Sequence, residues 1–167
     1  MEYKIRLATI KDIKNLAILK QRVWSETYRG IYRDDKIDNF DYANAEKKFE
    51  KIINDNRISL YVVEIKNELI GYMDVGFPYR QYKNYKQEIG LLYIRKDFQK
   101  NGIGRKLFNI GYNEIKNNGY NEFFISCNKY NTNARKFYEK MGGKLVEIDE
   151  DNEDKRIVQV KYHFDIH

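Results

Sequence analysis

The chain has 167 residues, of which 42% are hydrophobic and 15% aromatic, so it has enough apolar material for the core of one domain and is not typical of a disordered protein. No segment approaches the roughly 18 consecutive apolar residues that a membrane span needs, and a single cysteine excludes an intrachain disulfide, which favours a cytoplasmic protein. The net charge of +6 comes from 31 lysines and arginines interleaved with 25 aspartates and glutamates, which indicates a mixed solvated surface rather than a nucleic-acid-binding face.

The first half of the chain predicts a strand, two helices and a hairpin. Apolar residues recur at helical spacing after Thr9-x-x-Asp12, a pattern typical of a capping box, and again after a loop that is rich in aspartate. Two apolar runs follow, and Pro78 closes the second because proline cannot donate to a β-ladder. The predicted elements are a strand Tyr3 to Leu7, a helix that ends near Gly30, a helix from about Ala43 to Asn54, and antiparallel strands Ser59 to Ile65 and Leu69 to Phe77.

The second half of the chain predicts two buried strands, each followed by a helix, and then a hairpin. The run Glu88 to Ile94 is apolar and β-branched, and the strand Asn121 to Cys127 is reached through a helix, so we expect the two strands to be parallel. The hairpin pairs Lys144 to Ile148 with Arg156 to Phe164 around an acidic tip, Asp149 to Asp154. This order of elements indicates one α/β domain, residues 1–167, with a mixed sheet.

A turn that contains two glycines, Gln99-Lys100-Asn101-Gly102-Ile103-Gly104, joins the strand Glu88 to Ile94 to the following helix. Such a junction offers unpaired backbone N–H groups and the positive end of a helix dipole, and glycine lets the backbone approach an anion closely. The spacing does not fit a dinucleotide fingerprint, which needs a third glycine where Leu107 stands, or a Walker loop, which needs Gly-Lys followed by Ser or Thr. We therefore expect this turn to bind phosphate groups in another way.

Two segments resemble motifs of the GNAT superfamily of N-acetyltransferases. Ile94 to Phe108, with its Gln-x-x-Gly-x-Gly, resembles the acetyl-CoA-binding motif, and Asn131 to Gly142 resembles the segment Asn-x-x-Ala-x-x-aromatic-Tyr-Glu-Lys-x-Gly. Two positions depart from the family pattern: Lys96 stands where proline is frequent, and Gly143 stands where phenylalanine is frequent. The order of strands and helices also matches, so the resemblance covers essentially the whole chain.

The resemblance implies a GNAT-like fold, an α+β type of α/β domain. Its sheet is mixed and mostly antiparallel, with about seven strands flanked by four helices, and its parallel pair is split at the acetyl-CoA site. The resemblance also implies that acetyl-CoA is the co-substrate and that no metal takes part. The residues that would bind acetyl-CoA are Tyr93, Ile94, Arg95, Gln99, Lys100, Asn101, Gly102, Ile103, Gly104, Arg105, Asn131 and Tyr138.

Some of these side chains have a second explanation that concerns the fold alone. Arg95, Lys100, Arg105 and Lys106 are either partners for phosphates or solvated charges at the start of a helix. Asn131 binds the cofactor, caps its own helix, or does both.

Acetyl transfer to an amine needs a proton acceptor for the amine and a proton donor for the departing thiolate. The resemblance implies that Tyr138 is this donor; the alternative is an ordinary core aromatic beside Phe137. Glu88 is the candidate base and would relay the amine proton through water, as a glutamate does in some GNAT enzymes. The alternative for Glu88 is a solvated carboxylate at the end of a strand.

The acceptor site is expected between the first two helices and the loop that follows Pro78. The run Trp24 to Ile31 resembles one in bacterial GNAT enzymes, some of them related to spermidine/spermine acetyltransferases. Acidic loop residues, Asp34, Asp35 and Asp38 among them, either attract a cationic amine or keep the surface soluble. The candidate substrate-binding residues are Trp24, Glu26, Tyr28 and Tyr79.

The sequence therefore predicts an acyltransferase that moves acetyl from acetyl-CoA to a primary amine, a polyamine or another small cationic amine, by direct attack in a ternary complex. Two alternatives stay open: acetylation of a protein N-terminus or lysine, and a CoA-binding sensor without turnover. The presence of both Glu88 and Tyr138 argues against the sensor. We expect a small-molecule partner, no nucleic acid and no membrane, while the acceptor's identity and a homodimer are left open.

Overall fold

The computed structural model describes residues 1–150 and 153–167, and within them the chain forms seven β-strands and five α-helices. The strands are β1 (Lys4–Leu7), β2 (Ile58–Ile65), β3 (Glu68–Gly76), β4 (Glu88–Ile94), β5 (Glu122–Asn128), β6 (Lys144–Ile148) and β7 (Gln159–Asp165). The helices are α1 (Ile13–Tyr28), α2 (Asp34–Asp38), α3 (Tyr42–Asn54), α4 (Ile103–Asn117) and α5 (Thr132–Lys140). No helix in the described part of the chain is long and apolar enough to cross a membrane.

All seven strands form one sheet, in the order β1-β2-β3-β4-β5-β7-β6. Every neighbouring pair is antiparallel except β4 and β5, which are connected through α4. These two strands are in register at one pair, Glu88 with Phe124, and the described residues show no further pair between them. The strands therefore separate after Glu88 and leave an opening in the sheet, the β4–β5 gap. This arrangement confirms the predicted mixed sheet with a split parallel pair.

Two hydrophobic cores cover the two faces of the sheet. On one face α1 and α3 pack through Leu16 and Phe49 against Tyr72 of β3. On the other face α4 and α5 pack through Leu107 and Tyr138 against the central strands. Full burial of a side chain of this size stabilises the fold by about 1.5–3 kcal/mol. The two helical layers therefore hold β4 firmly from both faces.

The segment between α1 and α3 differs from the expected loop. Residues Asp34–Asp38 form the short helix α2, so the structure has five helices where the resemblance implies four. Asp34 and Asp35 lie in the first turn of α2, where the helix dipole favours negative charge. Ile37 is completely buried, which anchors this helix to the rest of the domain.

The closing hairpin is antiparallel as predicted, and β7 lies between β5 and β6 in the sheet. It begins at Gln159 because a 3-10 turn, Lys155–Ile157, precedes it. The predicted acidic tip, Asp149 to Asp154, includes residues 151 and 152, which lie outside the described residues. Pairing with β7 along its whole length fixes β5 on the far side of the β4–β5 gap.

Candidate active site

The glycine turn, residues 99–105, joins β4 to α4 and presents backbone N–H groups at the start of that helix. Lys100 and Gly102 take positive φ angles of 62° and 81°, and Gly102 immediately precedes α4. The Gln99 side chain donates from Nε2 to the carbonyl oxygen of Ile94 at 2.9 Å, which fastens the turn to the end of β4. The first N–H groups of an α-helix have no partner inside the helix. The turn therefore fits an anionic group such as a pyrophosphate.

The basic side chains around this turn differ in their partners. Arg95 is buried, and its guanidinium contacts Glu68 at 2.5 Å and Asp97 at 2.7 Å. It also lies over the ring of Phe98. Within the turn and the first turn of α4, Lys100, Arg105 and Lys106 are exposed and form no ion pair with the described residues. Arg95 thus stabilises the end of β4, and the exposed side chains are better placed to contact phosphates.

Asn131 stands immediately before α5, and its Oδ1 accepts a hydrogen bond from the N–H of Ala134 at 3.2 Å. The structural explanation of Asn131 as a helix cap is therefore correct. Its Nδ2 makes no hydrogen bond within residues 1–150 and 153–167 and is left to bind a ligand. Capping and cofactor binding are compatible because they use different atoms of the same side chain.

Tyr138 lies beside the β4–β5 gap, with Cys127 of β5 and Tyr28 of α1 as titratable neighbours. Its side chain is buried, and its hydroxyl makes no hydrogen bond within the described residues. Burial raises the pKa of Tyr138, and these two neighbours raise it further. The hydroxyl therefore stays protonated at neutral pH and is free to donate. Nearby, the hydroxyls of Tyr28 and Tyr93 are 3.0 Å apart and bond to each other.

A second carboxylate, Asp74 of β3, lies close to Glu88. Asp74 is 1% exposed, and its Oδ1 accepts a hydrogen bond from the N–H of Leu91 at 2.6 Å. The hydroxyl of Tyr79 donates to its Oδ2. A Cβ on Gly90 would lie 2.7 Å from Asp74 Oδ1 and 2.9 Å from the Tyr79 ring, so only glycine fits at this position. A bulge in the β3–β4 ladder at this point brings these groups together.

Both carboxyl groups titrate near neutrality. Burial raises the pKa of Glu88 to about 7, although the positive charge of Lys161 acts in the opposite direction. Burial and the charge of Glu88 raise the pKa of Asp74 to about 8, against hydrogen bonds from the N–H groups of Leu91 and Gly90. The two groups line one narrow cleft, which has no room for a water molecule in this structure. At neutral pH Glu88 is partly ionised and can accept a proton from a cationic group that reaches it, whereas Asp74 is mostly protonated.

Asp74 is a site residue that the sequence analysis missed. It is the one charged residue in the otherwise apolar or small run from Leu69 to Phe77, and this interruption of a buried strand is the signal that could have found it. Buried acids in such runs are unusual unless they are paired or functional. Among the described residues, no group of three or more His, Cys, Asp and Glu side chains is arranged to hold a metal ion.

The predicted acceptor residues fall into two groups. Trp24 lies edge-on to the rings of Tyr28 and Tyr32, each at 5.8 Å, so these aromatic side chains form one wall. Glu26, in contrast, accepts a hydrogen bond from the N–H of Lys96 at 3.2 Å, beside the glycine turn rather than beside Glu88. The acids of α2 have partners of their own, since Arg29 pairs with Asp34 and Asp38 and Arg33 pairs with Asp35.

Comparison with known proteins agrees with this arrangement. The sequence matches the acetyltransferase (GNAT) domain family over residues 28–166. It is 25% identical to a spermidine N(1)-acetyltransferase of Thermoplasma acidophilum over 156 residues, which are 89% of this chain and 92% of that protein. It is 24% identical to the uncharacterized N-acetyltransferase YuaI of Bacillus subtilis over 122 residues, 72% of this chain and 69% of that protein.

Solved structures show the same fold. The PaiA N-acetyltransferase of Thermoplasma acidophilum, in complex with coenzyme A, superposes with a TM-score of 0.81 at 21% identity over 99% of both chains. An acetyltransferase of Thermus thermophilus superposes with a TM-score of 0.77 at 18% identity over 99% of this chain and 97% of that one. Because the family match spans most of the chain, this protein is a member of the GNAT family of N-acetyltransferases.

Proposed function

We propose that this enzyme transfers the acetyl group of acetyl-CoA to a primary amine of a small cationic molecule, with polyamines as the favoured class. The observation that carries the proposal is the pair of carboxyls, Glu88 and Asp74, in one cleft at the start of β4. Glu88, whose pKa of about 7 leaves it partly ionised at neutral pH, supplies the negative charge that attracts a cationic amine. The similarity to a spermidine N(1)-acetyltransferase over 89% of this chain supports the same class of acceptor.

Acetyl-CoA would supply the acetyl thioester, and the residues present fit its anionic part. The N–H groups between Gln99 and Arg105 would bind the pyrophosphate, assisted by the exposed Lys100 and by Arg105. The Nδ2 of Asn131 would donate a further hydrogen bond. Ile94 ends β4 at the edge of the β4–β5 gap, where the strand's backbone is available to hold an extended chain.

Glu88 would remove the proton that prevents the amine from attacking. A primary ammonium group has a pKa of about 10.4, so at neutral pH it must lose a proton first. An ordinary glutamate is a weak acceptor, but a carboxyl with a pKa of about 7 accepts a proton more readily while still ionised at physiological pH. The buried Asp74 next to it has a pKa raised to about 8 and is mostly protonated at neutral pH, so Glu88 is the charged member of the pair.

Tyr138 would donate a proton to the sulfur of CoA as it leaves the acetyl group. The departing sulfur develops negative charge, which the neutral hydroxyl would stabilise by a hydrogen bond as it passes its proton to the sulfur; tyrosine would then regain a proton from solvent. The Tyr138 side chain is buried, and its hydroxyl is protonated and makes no hydrogen bond in the described part of the chain. Direct attack by the amine needs no covalent enzyme intermediate, which agrees with the raised pKa that keeps the Cys127 thiol protonated.

An assay of thiol release decides the class of acceptor. Purified enzyme would be mixed with acetyl-CoA and, separately, with polyamines, aminoglycosides, amino acids and peptides. We expect the highest kcat/KM with spermidine or spermine, because the charge of Glu88 favours a cationic acceptor and the similarity to a spermidine N(1)-acetyltransferase favours a polyamine. Highest activity on peptides would favour acetylation of a protein N-terminus or lysine. Binding of CoA without release of thiol for any amine would indicate a sensor.

A further inference from the structure

Lys161 of β7 holds a positive charge on the sheet without a carboxylate partner. Its Nζ donates to the Oγ of Ser126 on the neighbouring β5 at 3.0 Å, and it lies 5.0 Å from the centre of the Tyr82 ring and 5.7 Å from that of Phe124. The side chain is half-buried and forms no ion pair with the described residues, although Glu147 is opposite to it on β6. Charges that lose water on folding are usually paired with an opposite charge. This ammonium group therefore calls for a physical explanation.

The carboxyl of Glu88 lacks a partner in the same way, since it makes no hydrogen bond or ion pair with the described residues. Glu88 is paired with Phe124 at the one point where the described residues of β4 and β5 are in register. Paired residues of neighbouring strands project to the same face of a sheet. On that face the Phe124 ring lies beneath the ammonium of Lys161. Glu88 and Lys161 therefore approach one ring from the two strands that flank β5.

The other titratable groups on this face of the sheet are engaged elsewhere or neutral. They are Lys20 of α1, Asp74 of β3, Tyr79, Tyr82 and Tyr85 of the segment between β3 and β4, Glu122 of β5 and His163 of β7. Asp74 is mostly protonated at neutral pH because its pKa is raised to about 8. Nδ1 of His163 is 2.6 Å from the hydroxyl of Tyr85. Lys20 lies over the ring of Trp24. The lysine of β7 is therefore the remaining cation that can act as counter-charge to the proposed base.

We propose that Lys161 is a positioning residue of the active site, which keeps a positive charge beside Glu88 and thereby favours the ionised form that accepts the proton of the amine. The inference rests on the proposed function, since it needs Glu88 as the base. Ser126 and the two rings fix the ammonium, so the charge is in place before the reaction begins. Positive charge lowers the pKa of a carboxyl, against the burial that raises that of Glu88 to about 7. Without this charge, less of the base would be ionised at neutral pH.

Lys161→Met tests this inference, because methionine keeps an unbranched apolar side chain over the two rings and removes the charge. With saturating acetyl-CoA and spermidine as acceptor, we expect the limb of kcat/KM near pH 7 to move to higher pH by about one unit. Compared with the plateau at high pH, activity at pH 7 should then fall about 5-fold more than in wild type. Lys161→Arg keeps the charge and should return the limb toward its wild-type position. Lys83→Met is the matched control, because the Lys83 Nζ also lies near the Tyr82 ring, at 5.4 Å, but on an exposed side chain; its limb should stay in place.

An NMR titration of the carboxyl carbons gives the same quantity without turnover, with Glu88→Gln identifying the signal of Glu88. We expect its midpoint at higher pH in Lys161→Met than in wild type or Lys161→Arg. If neither the midpoint nor the limb moves, the inference is overturned while Glu88 remains the proposed base. A lower Tm with an unmoved limb would also overturn it, since the lysine would then only stabilise the sheet. If Glu88→Gln keeps the wild-type limb, the base assignment itself fails, and the role of Lys161 in the reaction fails with it.

Discussion

Tyr138 and Glu88 lie on different elements, and burial acts on both in the same direction by raising their pKa values. For a tyrosine, a raised pKa keeps the hydroxyl protonated and preserves it as a donor. For a glutamate, a pKa of about 7 allows the carboxylate to accept a proton at neutral pH. One physical cause, loss of water around the side chain, therefore keeps Tyr138 protonated as a hydrogen-bond donor and makes Glu88 a stronger proton acceptor.

Tyr138→Phe tests the proposed acid. Removal of the hydroxyl should lower kcat by roughly 10²-fold, the usual scale for general acid catalysis, and leave the affinity for acetyl-CoA nearly unchanged. The Tm should not fall, because this hydroxyl has no hydrogen bond within the described part of the chain. Tyr120→Phe, at a 40% exposed position after α4, is the control and should be neutral in all three measurements. A stable variant with the wild-type kcat would show that Tyr138 is only a core aromatic.

Glu88→Gln tests the proposed base through its pH dependence. Glu88 must be ionised to accept a proton, so wild-type kcat/KM should rise with pH through a limb near pH 7. The variant cannot ionise and should lack this limb. Its activity should differ most from wild type just above pH 7 and approach it at lower pH, where Glu88 is protonated. An equal loss at every pH would indicate that Glu88 positions the substrate, and no loss would leave water as the only base.

At the scale of elements, the site depends on two junctions of β4. The glycine turn connects its end to α4 and supplies N–H groups for an anion. The bulge opposite Asp74, at the other end of the strand, brings Asp74 and Tyr79 against Gly90. The seven-residue strand β4 thus has the carboxyl of Glu88 at its start and the candidate phosphate-binding turn after its end. Both ends are fixed because β3 pairs with β4 along this length.

Gly104→Glu tests the glycine turn. A Cβ on Gly104 would contact only the Phe137 ring, at 3.7 Å, so the fold should tolerate the change. A carboxylate in the first turn of α4 should nevertheless repel a pyrophosphate and abolish measurable binding of CoA in calorimetry. Asn109→Glu adds the same charge to the exposed face of α4 beyond its first turn and is the control. Wild-type affinity in Gly104→Glu would exclude this turn as the phosphate site.

At the scale of the whole molecule, much of the fold could be predicted from local signals. The bounds of β4, Glu88–Ile94, and the start of α4 follow from an apolar run and a glycine turn. The insertion of β7 between β5 and β6 could not be predicted, because it depends on contacts between distant segments. The charge of Asp74 interrupts an apolar run and is visible in the sequence, but its contacts with Tyr79 and with the bulge of β4 depend on the fold and could not be predicted.

The sheet also explains how two substrates could meet in one domain. The β4–β5 gap opens beside Tyr138 on the α4/α5 face, and Tyr72, Asp74 and Glu88 lie along β3 and β4 toward α1 and α3. An acetyl donor and an amine could therefore approach from different sides of β4. This geometry suits direct transfer, in which no group of the protein is acetylated.

Mass spectrometry tests direct transfer most directly. Enzyme is mixed with equimolar acetyl-CoA and spermidine, the reaction is stopped at early times, and the masses of the amine and of the intact chain are measured. The account predicts one acetyl group on spermidine for each free thiol released, and no change in the mass of the chain at any time. An acetylated chain that forms before acetylated spermidine would contradict direct transfer. Bound CoA with no acetylated product from any amine would contradict the enzymatic function itself.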